Sequence, residues 1–131
     1  MSPYLISLVK KVNPLDMIAG AAEEQYFQIT KMMLEDPGID IVVARVIIPP
    51  FLEMKSDEHY LGIIRAWNET GREKPLISLI TFGDNFNELK ELAKKENATF
   101  FITPHDAAYS AKLLIDRMKI TQKQKTPDIK I

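Results

Sequence analysis

The 131-residue chain has no cysteine. Disulfides, thiolate nucleophiles, cysteine-based zinc sites and iron–sulfur clusters are excluded together. Glycine is scarce: Gly20, Gly38, Gly62, Gly71 and Gly83 are too scattered for a P-loop or a GxGxxG fingerprint. No serine sits in a GxSxG elbow, and no HxxxH or HExxH pattern occurs. Charge of one sign is also lacking. Lys and Arg number 17 against 18 Asp and Glu, a formal net charge of -1. That balance leaves no electrostatic footprint for nucleic acid. Residues 41–48 form the longest apolar run, broken by Arg45 and closed by Pro49-Pro50, far short of the roughly 20 residues of a membrane helix. At the N-terminus Lys10-Lys11 follow the apolar residues 4–9 instead of preceding them, the wrong order for a secretory signal. Neither nucleic acid nor membrane is expected as a partner, and a cytoplasmic location is the simplest reading.

What is present reads as one domain. Hydrophobic residues make up 46% of the chain and charged residues 27%, ordinary for a folded globular protein. Strand-like runs alternate with helix-like runs. Residues 39–48, 75–82 and 98–102 read as strands, 15–18 as a short fourth, and 4–9 as ambiguous. Continuous apolarity in 39–48 indicates a strand covered on both faces. Helices are expected at 22–35, 57–70, 85–96 and 106–118. The first carries a stripe of Ala22, Tyr26, Ile29 and Met33, and the second one of Tyr60, Ile63, Ile64 and Trp67. Ser56 is the expected N-cap and Gly71 the residue just past the end of the second helix; Thr103-Pro104 should open the last one. Strand–helix–strand units of this size require parallel pairing with right-handed crossovers. The expected fold is α/β: a three-layer, flavodoxin-like domain with a parallel sheet, spanning residues 1–120, followed by a polar, flexible tail at 121–131.

In such sheets ligands meet the loops after the strands. In the segment 13–22, NPLDMIAGAA, Gly20 permits close backbone approach, and Ala21 and Ala22 leave the first helical turn sterically open. Unpaired amides and the helix dipole would make that turn an anion site; the plain reading is an ordinary helix start. Glu23-Glu24 would repel an anion if they faced it. The loop 49–56, PPFLEMKS, exposes Phe51, Leu52 and Met54 to the domain's own core or to a partner. Phe82-Gly83-Asp84-Asn85 reads as a turn and cap. Arg45, a cation in a core strand, needs phosphate, an edge position or an acid such as Asp16. His59 and His105 read as surface residues, and no metal site is expected.

The order Asn13-Pro14-Leu15-Asp16-Met17, helix, Asp36-Pro37, β-branched strand, Pro49 and Lys74-Pro75 resembles a domain of the NDP-forming acyl-CoA synthetases, from about Val12 to Met118. The resemblance implies the second flavodoxin-like ligase domain of that family. It implies the reaction of acyl-CoA, NDP and phosphate to acid, CoA and NTP through a phosphohistidine. Helix N-termini near Gly20, Ala21 and Ala22, and near Ser56, would cradle that phosphate; Asp16 and Arg45 would be accessory. The CoA-binding Rossmann domain, the phosphohistidine domain and the ATP-grasp module of the family are not in this chain. It is therefore expected to bind no cofactor alone, to depend on those domains or subunits for CoA and ADP/ATP, and not to be catalytically complete by itself. The alternative is a non-catalytic interaction or dimerisation domain working through Phe51, Leu52 and Met54.

Overall fold

The chain alternates helix and strand in the order α1 (Glu23–Glu35), β1 (Val42–Arg45), α2 (Ser56–Glu69), β2 (Leu76–Leu79), α3 (Phe86–Lys95), β3 (Thr99–Phe101) and α4 (Pro104–Lys125). This computed structural model describes residues 12–17, 21–46, 56–80 and 86–125. The strands pair in parallel in the order β1-β2-β3, with Val42 opposite Leu76 and Ile77 opposite Thr99. The architecture is the expected parallel α/β fold.

The helix ends show why the elements stop where they do. After α2 the amide of Arg72 donates to the Trp67 carbonyl at 3.0 Å and that of Gly71 to Asn68 at 3.1 Å. Gly71 supplies the left-handed backbone this closure needs, with φ 68°. The same pair of bonds closes α3, from Ala98 to Ala93 and from Asn97 to Lys94, with Asn97 at φ 51°. After α1 the Asp36 carboxylate accepts from the Gly38 amide at 2.7 Å. At α4 the Thr103 hydroxyl accepts the Asp106 amide at 3.1 Å, one residue before Pro104. That helix runs to Lys125, past the expected boundary at 120.

The core lies between the sheet and α1, α2 and α3. Leu76 and Ile80 of the central strand region meet Tyr60, Ile63, Ile64 and Ala66 of α2, Leu89 and Ala93 of α3, and Phe27 and Leu34 of α1. The predicted α2 stripe is thus the one buried. On α1 the buried side chains are Phe27, Ile29, Thr30 and Leu34; Tyr26 and Met33 are partly buried against the core. That rotation follows from α1 packing chiefly on α2 and less on the sheet. Ile77 and Leu79 point to the opposite face, yet are 1% and 7% exposed. The helix in contact with β2 and β3 on that side is α4, which makes the third layer.

Two strand expectations are corrected. The 39–48 run is not covered on both faces: Val42 and Val46 are buried, but Val43 is 49% exposed and Arg45 exposed. The physical reason is position, because β1 is an edge strand among the described ones, whereas β2 between its neighbours is buried throughout. The described part of 15–18, residues 15–17, forms no strand. The 4–9 segment lies outside the described residues.

Inside this core the Tyr60 hydroxyl and the Ser78 hydroxyl are bonded at 2.6 Å, with Tyr60 2% and Ser78 0% exposed. Tyr60→Phe should cost about 1–2 kcal/mol, since it leaves the Ser78 hydroxyl buried without its partner. Tyr60→Phe combined with Ser78→Ala should recover most of the loss. Urea midpoints of the three variants check this; additive losses would contradict it. Burial pushes the Tyr60 phenol above its ordinary value of 10.0, with the Ser78 bond opposing. A raised folded value means stability complete below pH 10 and falling as pH rises through that value.

Candidate functional site

Helices α1 and α2 run parallel. Arg65 of α2 meets Glu23 and Glu24 at the start of α1, and Lys31 further along α1 meets Glu69 near the end of α2. Gly62 makes the close approach possible. A Cβ there would stand 2.5 Å from the Glu23 carbonyl oxygen and 3.2 Å from the Phe27 nitrogen. Backbone thus lies directly against backbone at this crossing.

The two N-termini are joined by one side chain. His59, in the first turn of α2, is 5% exposed, and its Nε2 lies 2.8 Å from the Ala21 carbonyl oxygen. A carbonyl only accepts, so Nε2 carries the hydrogen and donates. The Nδ1 atom is buried without a hydrogen-bond partner among the described residues. The Tyr26 ring meets the imidazole edge-on, with centroids 5.0 Å apart. Burial raises the Tyr26 phenol above its ordinary value, with the charge of Asp16 adding to the effect.

His59 is the residue that sequence reasoning missed. It is not a surface histidine. His59, Gly62, Ile63 and Ala66 fall at i, i+3, i+4 and i+7, and all four are buried. A helix face with glycine at its centre signals a close neighbour, and α1 is that neighbour. The surface reading does hold for His105, whose side chain is 87% exposed and stacks on Tyr109.

Each of the other expected site residues has a definite place, or lies outside the description. Ala21 is buried, and Ala22 is the exposed N-cap of α1. The amide of Ala22 is already taken, donating to Gln25 Oε1 at 2.5 Å. Ser56 is the first helical residue of α2 rather than the residue before it. Glu23 and Glu24 do not stand as bare charges at the mouth. Arg65 holds both, at 3.0 and 2.6 Å, while its guanidinium lies 3.9 Å from the Phe27 ring centroid. The bond from the Gln28 amide, together with that pairing, holds the Glu24 carboxyl below its usual range. Asp16 and Arg45 are exposed. Arg45 lines a cavity of about 120 Å³ with Asn13, Tyr26 and Thr30, beside the outer edge of β1. Gly20, Phe51, Leu52 and Met54 lie outside the described residues, as does the turn at Phe82-Gly83-Asp84-Asn85. Among the described residues no three His, Asp or Glu side chains gather as a metal site, and no helix is long and apolar enough to cross a membrane.

Layering and helix placement together define a parallel α/β domain in which α1 and α2 pack against each other. Its particular relation is to the alpha subunit of ADP-forming acetate–CoA ligase II from Pyrococcus furiosus, with 38% identity over 116 residues. The match takes in 88% of this chain and 25% of the relative, so the chain spans about a quarter of that protein's length. A crystal structure of a Pyrococcus horikoshii protein is 35% identical, with a TM-score of 0.81, over 89% of this chain and 27% of that one. The apo form of a dinucleotide-forming acetyl-coenzyme A synthetase 1 from Ca. Korarchaeum cryptofilum shares the fold. Its TM-score is 0.67 at 21% identity, over 79% of this chain and 22% of that one. No family model matches the chain. The resemblance to the ligase domain of the NDP-forming acyl-CoA synthetases, read from the NPLD, DP and KP motifs, is borne out.

Proposed function

We propose that the chain acts as the flavodoxin-like ligase module of an ADP-forming acyl-CoA synthetase. The reaction is the conversion of acyl-CoA, NDP and phosphate to acid, CoA and NTP. Partner domains or subunits bring the CoA site, the phosphorylated histidine and the ATP-grasp module. This chain brings two helix N-termini to the phosphoryl group. The observation that carries the reading is the junction itself: α1 and α2 run in the same direction, and His59 in the first turn of α2 bonds the carbonyl just before the N-cap of α1. Arg65 pairs with both Glu23 and Glu24 on its flank and offsets one of their two negative charges. Because the Ala22 amide is occupied, the donors on offer are the first-turn amides of Glu23 and Glu24 in α1 and those at the start of α2.

The test is reconstitution. The full chain is combined with the CoA-binding and phosphohistidine-bearing chain of the same organism, and histidine phosphorylation is followed from acyl-CoA and labelled phosphate. Phosphohistidine should accumulate only with both chains present. An equal yield without this chain would refute the role.

A second reading, as an interaction domain, draws on α4. Tyr109, Leu113 and Ile120 lie along one side of that helix at 57%, 49% and 57% exposed. If this is the chain's role, Leu113→Lys should abolish an oligomer seen by light scattering; a wild-type monomer would exclude it.

A further inference from the structure

The end of the domain where the strands begin carries opposite charge on its two sides. On the side of α1 and α2, Glu35, Glu69 and Glu73 line an open cavity of about 660 Å³ with Leu34, Pro37 and Lys74. Both helices end here, and neither has a basic residue in its last turn, so the negative ends of their dipoles add to the carboxylates. The nearby cations are already engaged. Lys31 pairs with Glu69 and is drawn by the charge of Glu35, the Lys74 ammonium donates to the Asp36 carbonyl, and Arg72 is bonded to Asn68 and to the Glu96 carbonyl. Glu35 and Glu73 form no close ion pair among the described residues. On the other side of the sheet, α4 outruns its support. Ala107, Ala111, Ile115 and Met118 fall at i, i+4, i+8 and i+11, the stripe that faces the sheet. Burial fades along it, from 2% exposed at Ala107 to 42% at Met118, and each of residues 117–123 is exposed. A 22-residue helix is about 33 Å long and a four-residue strand about 13 Å, so the last turns of α4 extend past the sheet. Met118 and Thr121 share a second cavity, of about 300 Å³, with Pro75, the neighbour of Lys74; the overhang therefore lies at the same end as the acidic cavity. The overhang carries Arg117, Lys119 and Lys123, while Asp116 is taken by Lys112.

We propose that a second copy of this chain fills the acidic cavity: each protomer lays the basic end of its α4 against the α1–α2 ends of the other, about a twofold axis. A half-turn about a line across the strand-start end of the sheet brings the α4 side of one copy over the α1–α2 side of the other, so the same contact forms twice. Charge selects this partner. The chain as a whole is close to neutral, at -1, yet at this end it sorts its charges, basic on one side and acidic on the other. Two copies in this order bring every overhang to a cavity of opposite sign, whereas overhang against overhang, or cavity against cavity, would set like charges together. Met118 adds apolar surface to the basic end, and Leu34 and Pro37 line the cavity that receives it. The inference goes beyond the phosphoryl role and does not rest on it, because the starts of α1 and α2 lie at the opposite end of those helices and are left uncovered by this contact. The Tyr109–Leu113 side of α4 faces away from it.

Sedimentation equilibrium of the full chain tests the proposal. A dimer should form at about 0.1 M salt and weaken at least about tenfold at about 1 M, where the screening length has fallen from about 10 to about 3 Å. Glu35→Lys with Glu73→Lys reverses the cavity, and Lys119→Glu with Lys123→Glu reverses the overhang; all four side chains are exposed. Each double variant alone should be monomeric. An equimolar mixture of the two should dimerise again, because the reversed cavity then meets the reversed overhang and the native cavity the native overhang. A different protein in the cavity, or the chain's own end folded into it, gives no such rescue. If either variant does not fold, carbodiimide coupling of mixed light and heavy wild-type chains replaces it. Links from Lys119 or Lys123 to Glu35 or Glu73 should then be isotopically mixed, and links confined to one isotope would refute the contact. A wild-type monomer, a dimer that keeps its affinity in either variant, or a mixture that stays monomeric would each overturn the proposal. So would loss of the dimer in Leu113→Lys, which would place the interface on the outward side of α4.

Discussion

Gly62→Ala should destabilise the chain by about 2 kcal/mol or more, against the usual rule. Alanine in a helix interior normally gains roughly 1 kcal/mol over glycine. Here the added methyl would stand 2.5 Å from the Glu23 carbonyl oxygen and 3.2 Å from the Phe27 backbone nitrogen. Both are main-chain atoms of α1, which cannot swing aside as a side-chain tip can. Overpacking of this kind costs typically 1–3 kcal/mol, and relief requires α1 to move off α2 as a unit. That movement would also stretch the His59–Ala21 bond, so loss of stability and loss of anion binding should appear together. Urea denaturation of the variant gives the first and phosphate titration the second. A variant as stable as the parent would mean that the two helices do not touch at this point.

The second large effect concerns the far layer. Ile77→Ala should cost about 3 kcal/mol, the range for a buried isoleucine whose cavity the surroundings cannot fill. Ile77 is 1% exposed, yet it points away from the face where Ser78 meets Tyr60. Only a covered far face makes such a truncation expensive. A cost below 1 kcal/mol would show that α4 does not seal that side, and the three-layer arrangement would fail with it.

These contacts also mark how far the sequence alone reaches. The α2 stripe, the central strand β2 and the left-handed turn at Gly71 were legible because periodicity, continuous apolarity and backbone freedom are local signals. Strand β1 misled: its apolar run matches that of β2, but only the pairing order shows that, among the described strands, β1 lies at an edge with Val43 open. The buried face of α1 lies about one residue from the expected stripe because its main neighbour is another helix, a fact of tertiary packing. At the junction, Ala21 and Ala22 were singled out from their place before a helix. Two facts were beyond a local reading: Gln25 takes the Ala22 amide, and Arg65, some forty positions along the chain, takes the two glutamates. His59 looked like one more polar residue in a first turn. Its spacing to Gly62, Ile63 and Ala66 was the available clue, and the partner that gives it meaning comes from 38 residues away.

The central claim is that the meeting point of α1 and α2 receives negative charge from outside the chain. Amide NMR of the full protein during a titration with inorganic phosphate addresses it most directly. Saturable shifts confined to Ala21–Glu24 and Ser56–His59, with the amides at the start of α4 unmoved, are the expected result. Shifts spread evenly over all helix starts, or none at this pair, would contradict it.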